Sequence, residues 1–325
     1  MLAVIAGVVA AVVIVGIVAF VATRGDDTAD PPSTTSTTEA PPELVSPEVA
    51  ETISVGDFPQ LPAATEDDVW VANGSDGTVS RIDVATDEVV ATIDVGANPF
   101  GVAATDDAVW VTNGDDETVS RIDPATNDVV ATVDLDGPPL DVVAEGNDVW
   151  VSIPNDDSIT VIDADTNDTT DTIDTNAPNG MVLAGDALWV TNFADGTVSR
   201  VDRATNEVTD VVNVGKHPEF VAATEDSIWV TNRADATVSR IDQTTFDVDA
   251  TIDVGEFPSG VATVGDGVFV ANTVDDTLSR IDATTNEVTD TIDTDDGPFG
   301  VSAAGEVVWV TTSEVDSVHR IEGSD

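Results

Sequence analysis

The stretch VWVTN at residues 109–113, Val109-Trp110-Val111-Thr112-Asn113, decides the architecture because it returns along the chain at a nearly fixed interval. VWVAN stands at 69–73, VWVSI at 149–153, LWVTN at 188–192, IWVTN at 228–232, VFVAN at 268–272 and VWVTT at 308–312. The aromatic residues Trp70, Trp110, Trp150, Trp189, Trp229, Phe269 and Trp309 are spaced 40, 40, 39, 40, 40 and 40 residues apart. A period of that length and regularity marks a repeat architecture.

Outward from the aromatic, each unit reads as four short strands. A Pro precedes an apolar segment such as FGVAA at 100–104, and the Trp strand, apolar on both faces, comes next. An alternating strand of the TVSRID type and one of the VVATIDV type complete the unit. Between them lie short turns of Asp, Asn, Gly and Thr, whose side chains bond locally or tolerate left-handed backbone. No segment of the repeat has a helical period. Four strands per 40-residue unit, doubly apolar in the middle, predict a blade of a β-propeller, where each sheet is packed on both faces by its neighbours. Six complete units begin at Trp70, and the chain ends after the third strand of a seventh, SVHRIE at 317–322. VAETISVG at 49–56 matches VVATIDVG at 89–96, so this N-terminal strand is expected to supply the missing fourth strand and close a seven-bladed ring.

The W-V-T-N strand followed by T-V-S-R-I-D, P/A-x-T-N-x-V and V-G-x-x-P-x-G-V resembles the YVTN family of seven-bladed β-propeller proteins, with Trp in place of that family's usual Tyr. The resemblance covers residues 49 to 322 and implies the fold; it implies no single activity, because propellers host many. The strands are also similar to those of streptogramin (virginiamycin B) lyases, which use a His, a Glu and a magnesium ion at the channel mouth. That similarity would make His217 and Glu219 the residues able to stand in for such machinery.

Residues repeated in every unit read as structural. The six Trp and Phe269 hold one position per blade, as inter-blade packing requires. Arg81, Arg121, Arg200, Arg240, Arg280 and Arg320 share one slot of the third strand, two residues before an acid such as Asp83 or Asp123, and are expected to form a repeated ion pair or a cation–π contact with the Trp strand. Asp76, Asp116, Asp156, Asp195, Asp235 and Asp275 recur after the Trp strand, where turn formation is the expected role and calcium binding the alternative.

Function is sought where the repeat stops repeating. The connections from one unit to the next pass through a Pro and would ring one mouth of the channel. Their variable residues are Phe58, Gln60, Asn98, Phe100, Leu140, Asp141, Asn179, Met181, His217, Glu219, Phe257, Ser259 and Phe299. This mix of aromatic, amide and ionisable groups suits a ligand site. Lys216-His217-Pro218-Glu219 holds the only lysine and one of two histidines, and would make His217 a general base with Glu219 as its orienting partner or as a metal ligand. A metal-dependent lactonase built on Asp141, Asn179 and Glu219, with calcium or magnesium, is a further alternative. No Walker, Rossmann, nucleophile-elbow or HExxH pattern occurs.

Ahead of the repeat, Leu2 to Ala22 contains no polar or charged residue and, at about 1.5 Å per residue, would span roughly 30 Å, the thickness of a bilayer core. It is longer than the apolar core of a cleavable signal peptide and lacks a basic lead, so residues 1–24 read as a transmembrane anchor. Residues 25–47, with five prolines among Thr, Ser and acids, read as an extended linker, and 48–325 as the propeller.

The chain has 325 residues, no cysteine, 10 Lys and Arg against 63 Asp and Glu, a net charge of −53, and is 41% hydrophobic. Absence of cysteine removes disulfides, thiolate metal sites and thiol nucleophiles. The charge opposes nucleic-acid binding, and acids dealt to every turn suggest adaptation to salt. The sequence therefore predicts a monomeric propeller, anchored by one span on the extracytoplasmic side of the membrane, acting as a non-catalytic module that binds a protein, a peptide or a cell-envelope glycan. The alternatives are the sensor domain of a longer receptor and the metal-dependent enzyme.

Overall fold

The computed structural model describes residues 46–323. The predicted membrane span, and all but the last two residues of the predicted linker, lie outside them. Among the described residues no helix is long and apolar enough to cross a membrane.

Seven antiparallel sheets of four strands follow one another in chain order, giving an all-β seven-bladed propeller. Blade 1 is β2 (Pro59–Ala64), β3 (Asp68–Asn73), β4 (Thr78–Asp83) and β5 (Glu88–Asp94), paired in that sequence. The first strands of blades 2 to 7 are β6 (Pro99–Ala104), β10 (Val142–Glu145), β14 (Pro178–Ala184), β18 (Pro218–Ala223), β22 (Pro258–Val264) and β26 (Pro298–Ala304). Each touches the next, and β26 touches β2, so the first strands form a closed inner ring. Blade 7 continues through β27 (Val307–Thr312) and β28 (Ser317–Glu322), and its fourth strand is β1 (Glu48–Ser54), with Thr52 opposite His319 and Ile53 opposite Val318.

The core is distributed between the blades. Trp70 of blade 1 packs with Val102, Val109, Val111 and Ile122 of blade 2, and equivalent clusters recur around the ring. All six tryptophans and Phe269 are essentially inaccessible to solvent, which fits their one-per-blade spacing. Truncating such a buried aromatic typically costs about 3–5 kcal/mol. The repeated arginines lie over or beside these aromatics: Arg81 is 4.9 Å from the Trp70 ring centroid and Arg121 5.2 Å from Trp110. The acid two residues on is the partner in blade 7, where Arg320 Nη2 lies 2.7 Å from Glu322 Oε1, but not in blade 1. Arg81 forks onto both oxygens of Asp68 at 2.7 Å, on the strand paired with its own, rather than onto Asp83 two residues on. Its remaining nitrogen, Nη1, donates to the Pro124 carbonyl and Asn127 Oδ1 of blade 2, and Arg121 makes the same reach to Ala164 and Asn167 of blade 3. The arginine ring thus staples each such blade to the turn of the next.

A second device fixes the mouth-side turns. Asn113 Oδ1 accepts the Gly96 N–H at 3.0 Å while its Nδ2 donates to Thr118 and Ser120 hydroxyls, and Asn73, Asn232 and Asn272 repeat the arrangement. A Cβ on Gly96 would lie 2.6 Å from the Asn113 side chain, so the V-G of the repeat is set by this contact. Asp76, Asp116, Asp235 and Asp275 each accept a backbone N–H from the connection entering their blade, at 2.8–2.9 Å.

Candidate functional site

Six of the seven connections into a blade carry one residue in the left-handed region immediately before the Pro: Phe58, Asn98, Ala177, His217, Phe257 and Gly297, with φ between 44° and 73°. The backbone carbonyl of that residue then accepts an N–H from the loop after the Trp strand of the same blade. Gly74 donates to Phe58, Gly114 to Asn98, Phe193 to Ala177, Arg233 to His217, Thr273 to Phe257 and Ser313 to Gly297. Six blades share this clip; blade 3 departs from it. Pro138 occupies the left-handed position, and its ring fixes φ near −65°. The donor position is Pro154, which has no N–H, and Pro154–Asp156 form a short 3-10 turn instead. The two loops of blade 3 are therefore not clipped.

A cavity of about 570 Å³ opens against this unclipped pair. Pro138, Pro139, Leu140, Pro154 and Asn155 come from blade 3, and Asn98, Phe100, Gly114 and Asp115 from blade 2. Ala177, Asn179 and Phe193 of blade 4 and Glu219 and Arg233 of blade 5 complete the wall. Phe100, Leu140, Asn179 and Glu219 occupy the same place in their blades, the residue after the Pro. Hydroxyls of the preceding blades hold three of them by their carbonyls: Thr112 donates to Leu140 at 2.7 Å, Ser152 to Asn179 and Thr191 to Glu219 at 2.9 Å. On the channel side, Phe100 and Phe220 both meet Phe299 edge-on, at 5.8 and 5.9 Å between centroids. With Leu61 these rings join the apolar cluster beside the axis.

Two buried carboxyls accompany the cavity. Asp141 stands where Gly101, Gly180, Gly260 and Gly300 stand in other blades. Its Oδ1 accepts the Val142 N–H at 2.9 Å and its Oδ2 the Met181 N–H of blade 4 at 2.8 Å. Burial pushes its pKa up to about 7 against the opposing effect of those bonds. Glu219 is only 5% exposed, and burial raises it to about 7 although Arg233 beside it acts the other way. Arg233 Nη1 donates to Glu219 Oε1 at 3.0 Å, and its guanidinium lies 5.1 Å from the Phe257 ring centroid. Glu219 Oε2 has no hydrogen-bond partner.

Of the thirteen candidates, Asn98, Phe100, Leu140, Asn179 and Glu219 line this cavity. Asp141 and Met181 are buried in the bridge between blades 3 and 4. Gln60 and Ser259 are buried and donate to the backbone of Phe58 and Phe299. Phe299 belongs to the aromatic group at the axis. Phe58 and Phe257 are exposed, Phe257 beneath Arg233. His217 stacks on Phe193 at 4.6 Å, and the ion-pair partner of Glu219 is Arg233. Arg233, Phe193, Asp115 and Asn155 escape a reading confined to the Pro connections. Their signal lies one strand later, where the residue after W-V-T-N runs Gly74, Gly114, Pro154, Phe193, Arg233, Thr273 and Ser313.

No family model matches the chain. No curated protein matches it either. Solved structures do share its fold. A streptogramin B lyase superposes with a TM-score of 0.73 at 15% identity, covering 84% of this chain and 96% of that one. A catalytically inactive virginiamycin B lyase from Staphylococcus aureus, with quinupristin, gives 0.74 at 16% identity, with 85% and 99% covered. Hydrazine synthase of Kuenenia stuttgartiensis gives 0.69 at 14% identity, with 83% and 97% covered. At such identities the likeness is one of fold: the chain is an all-β seven-bladed propeller structurally similar to virginiamycin B lyase.

Proposed function

We propose that this propeller is a non-catalytic binding module of the YVTN type, tethered through residues 1–24 on the extracytoplasmic face of a membrane, and that it holds part of a protein, peptide or envelope glycan in the cavity of blades 2 to 5. The repeat motifs, and the pairing of β1 with β28 that would close the ring, support the family and the scaffold. The observation that carries the binding role is the convergence of four consecutive blades, each through residues that break its own repeat, on one cavity beside the single unclipped blade. Its apolar wall with a few amides and one ion pair has the composition of a recognition site. The enzyme alternative draws less support, since Glu219 is engaged by Arg233 and not by His217.

Gly114 provides the test. A Cβ there meets only ordinary contacts, Asn98 Nδ2 and O at 3.5 Å and the Pro139 carbonyl at 3.7 Å, so a larger side chain enters the cavity without displacing backbone. Gly114→Trp is expected to abolish binding of any peptide or glycan fragment that wild type retains in calorimetry, with the melting temperature within about 2 °C of wild type. A ligand held equally by both proteins would remove the reading.

A further inference from the structure

Within this reading, the chemistry of the wall narrows the ligand class. We propose that the cavity takes a ligand bearing a primary ammonium on a compact apolar body, with the ammonium satisfied by Glu219 and Asp115 and the body lying against Phe100, Leu140 and Pro139. The inference rests on the cavity being the binding site and extends it to the ligand's charge.

Three observations converge on it. First, the wall holds two acids, Asp115 and Glu219, against one base, Arg233. The charge of that base is paired with Glu219 through Nη1 and its guanidinium face lies over Phe257, so the wall as a whole is net negative. Second, Glu219 is buried with Oε2 lacking any donor, so that oxygen has lost its water without gaining a partner. A ligand N–H would supply what the fold does not. Third, the apolar surface is aromatic as well as aliphatic: Phe100 and Phe193 both line the cavity, and aromatic faces attract cations. The field of a chain with net charge −53 adds to this, since it concentrates cations and depletes anions near every opening.

The test compares, on the full chain, small amides that differ in whether and where they carry an ammonium. L-phenylalaninamide offers an α-ammonium beside an aromatic body; its N-acetyl derivative is neutral; Nα-acetyl-L-lysinamide offers an ε-ammonium instead. Calorimetry at low salt is expected to give binding of at least one amine in the millimolar range or tighter, at least about tenfold stronger than that of N-acetyl-phenylalaninamide. The preference should shrink as NaCl rises and should disappear in Glu219→Gln, while Gly114→Trp should abolish amine binding altogether. The stronger of the two amines tells whether the ammonium comes from a chain terminus or from a side chain. If the neutral probe binds as tightly as the amines, the ammonium assignment is overturned while the cavity keeps its binding role. If neither amine binds at ~10 mM, the assignment falls too. Amine binding untouched by Gly114→Trp would instead refute the cavity as the binding site, and the two failures are thereby told apart.

Discussion

Asp141 shows how one residue can depart from a repeat and leave a measurable trace. A glycine at this place, as at Gly101 or Gly180, lets neighbouring inner strands approach so closely that a Cβ would lie 2.7 Å from the next strand's backbone oxygen. In blade 3 the aspartate fills that approach and accepts the Met181 N–H across it. Because burial raises its pKa to about 7 from 3.8, the folded state binds the proton more tightly than the unfolded state does. Between those two values the folded protein carries more protons, so stability falls as pH rises through that window and levels off above about 7. The full shift corresponds to roughly 4 kcal/mol, an upper figure. Asp141→Asn should reduce the wild-type slope of unfolding free energy between pH 4 and 7, as read by urea melts at several pH values, and leave the part that Glu219 contributes through its own raised pKa. A slope identical in the two proteins would mean that Asp141 is not the titrating group. Blade 7 makes a different departure. Thr312, His319 and Asp295 together replace the Asn, Ser and Gly of the turn hub, and His319 Nε2 meets Asp295 Oδ2 at 3.0 Å. The smaller Thr312 is what leaves room for a side chain at 295.

At the scale of strands, β1 is the element most separated in sequence from its partner. Ile53 is buried among Val69, Val71, Trp309 and Val318, so it joins β1 to both blade 7 and blade 1. Replacing it by aspartate would place an unpaired charge in that cluster and release β1 from β28. A loss of about 3 kcal/mol or more is expected, with faster amide exchange concentrated in residues 317–322 and a tendency to associate through the freed edge. Uniform exchange across all seven blades would argue that β1 does not close the ring. Strand positions were legible from the sequence because packing on both faces forces an aromatic flanked by aliphatic residues into the second strand of each blade, and because turns of nearly constant length keep the period at 39 or 40. The site was only half legible. Asn98, Phe100, Leu140, Asn179 and Glu219 follow from the Pro connections, whereas Arg233 and Phe193 reach the cavity from loops that are distant in sequence and joined to those connections only by the clip. The loss of the clip in blade 3 needs Pro138 and Pro154 to be considered together, 16 residues apart. Neither proline alone announces it.

Across the whole molecule the charge sets the conditions under which the fold is stable. With 10 basic and 63 acidic residues, only about one carboxylate in six can have a cation of its own. The arginines of the third strands are largely spent within their own blades, on Asp68 for Arg81 and on Asp186 for Arg200. Hydrogen bonding carries the imbalance to lower pH, because the turn aspartates Asp163, Asp242 and Asp282 accept backbone N–H groups that lower their pKa and keep them ionised into acid. Repulsion among the remaining carboxylates opposes the compact state. Its range is set by screening, about 30 Å at 0.01 M salt and about 3 Å at 1 M, so the first figure spans several blades and the second reaches no further than adjacent side chains. Few attractive pairs exist for salt to weaken, and the net effect of NaCl should be strongly stabilising. The melting temperature is expected to rise by more than about 10 °C between 10 mM and 2 M NaCl, with most of the rise below about 0.5 M, where the screening length changes fastest. An equal osmolality of sucrose, which is excluded from the surface but screens nothing, should give a smaller and more linear rise. Melts that are flat in NaCl, or that follow sucrose, would show that the acidic surface is not what limits stability. The same titration bears on the cavity, since an ammonium ligand drawn in by this field should associate more slowly as salt rises, while its dissociation, governed by local contacts, should change little.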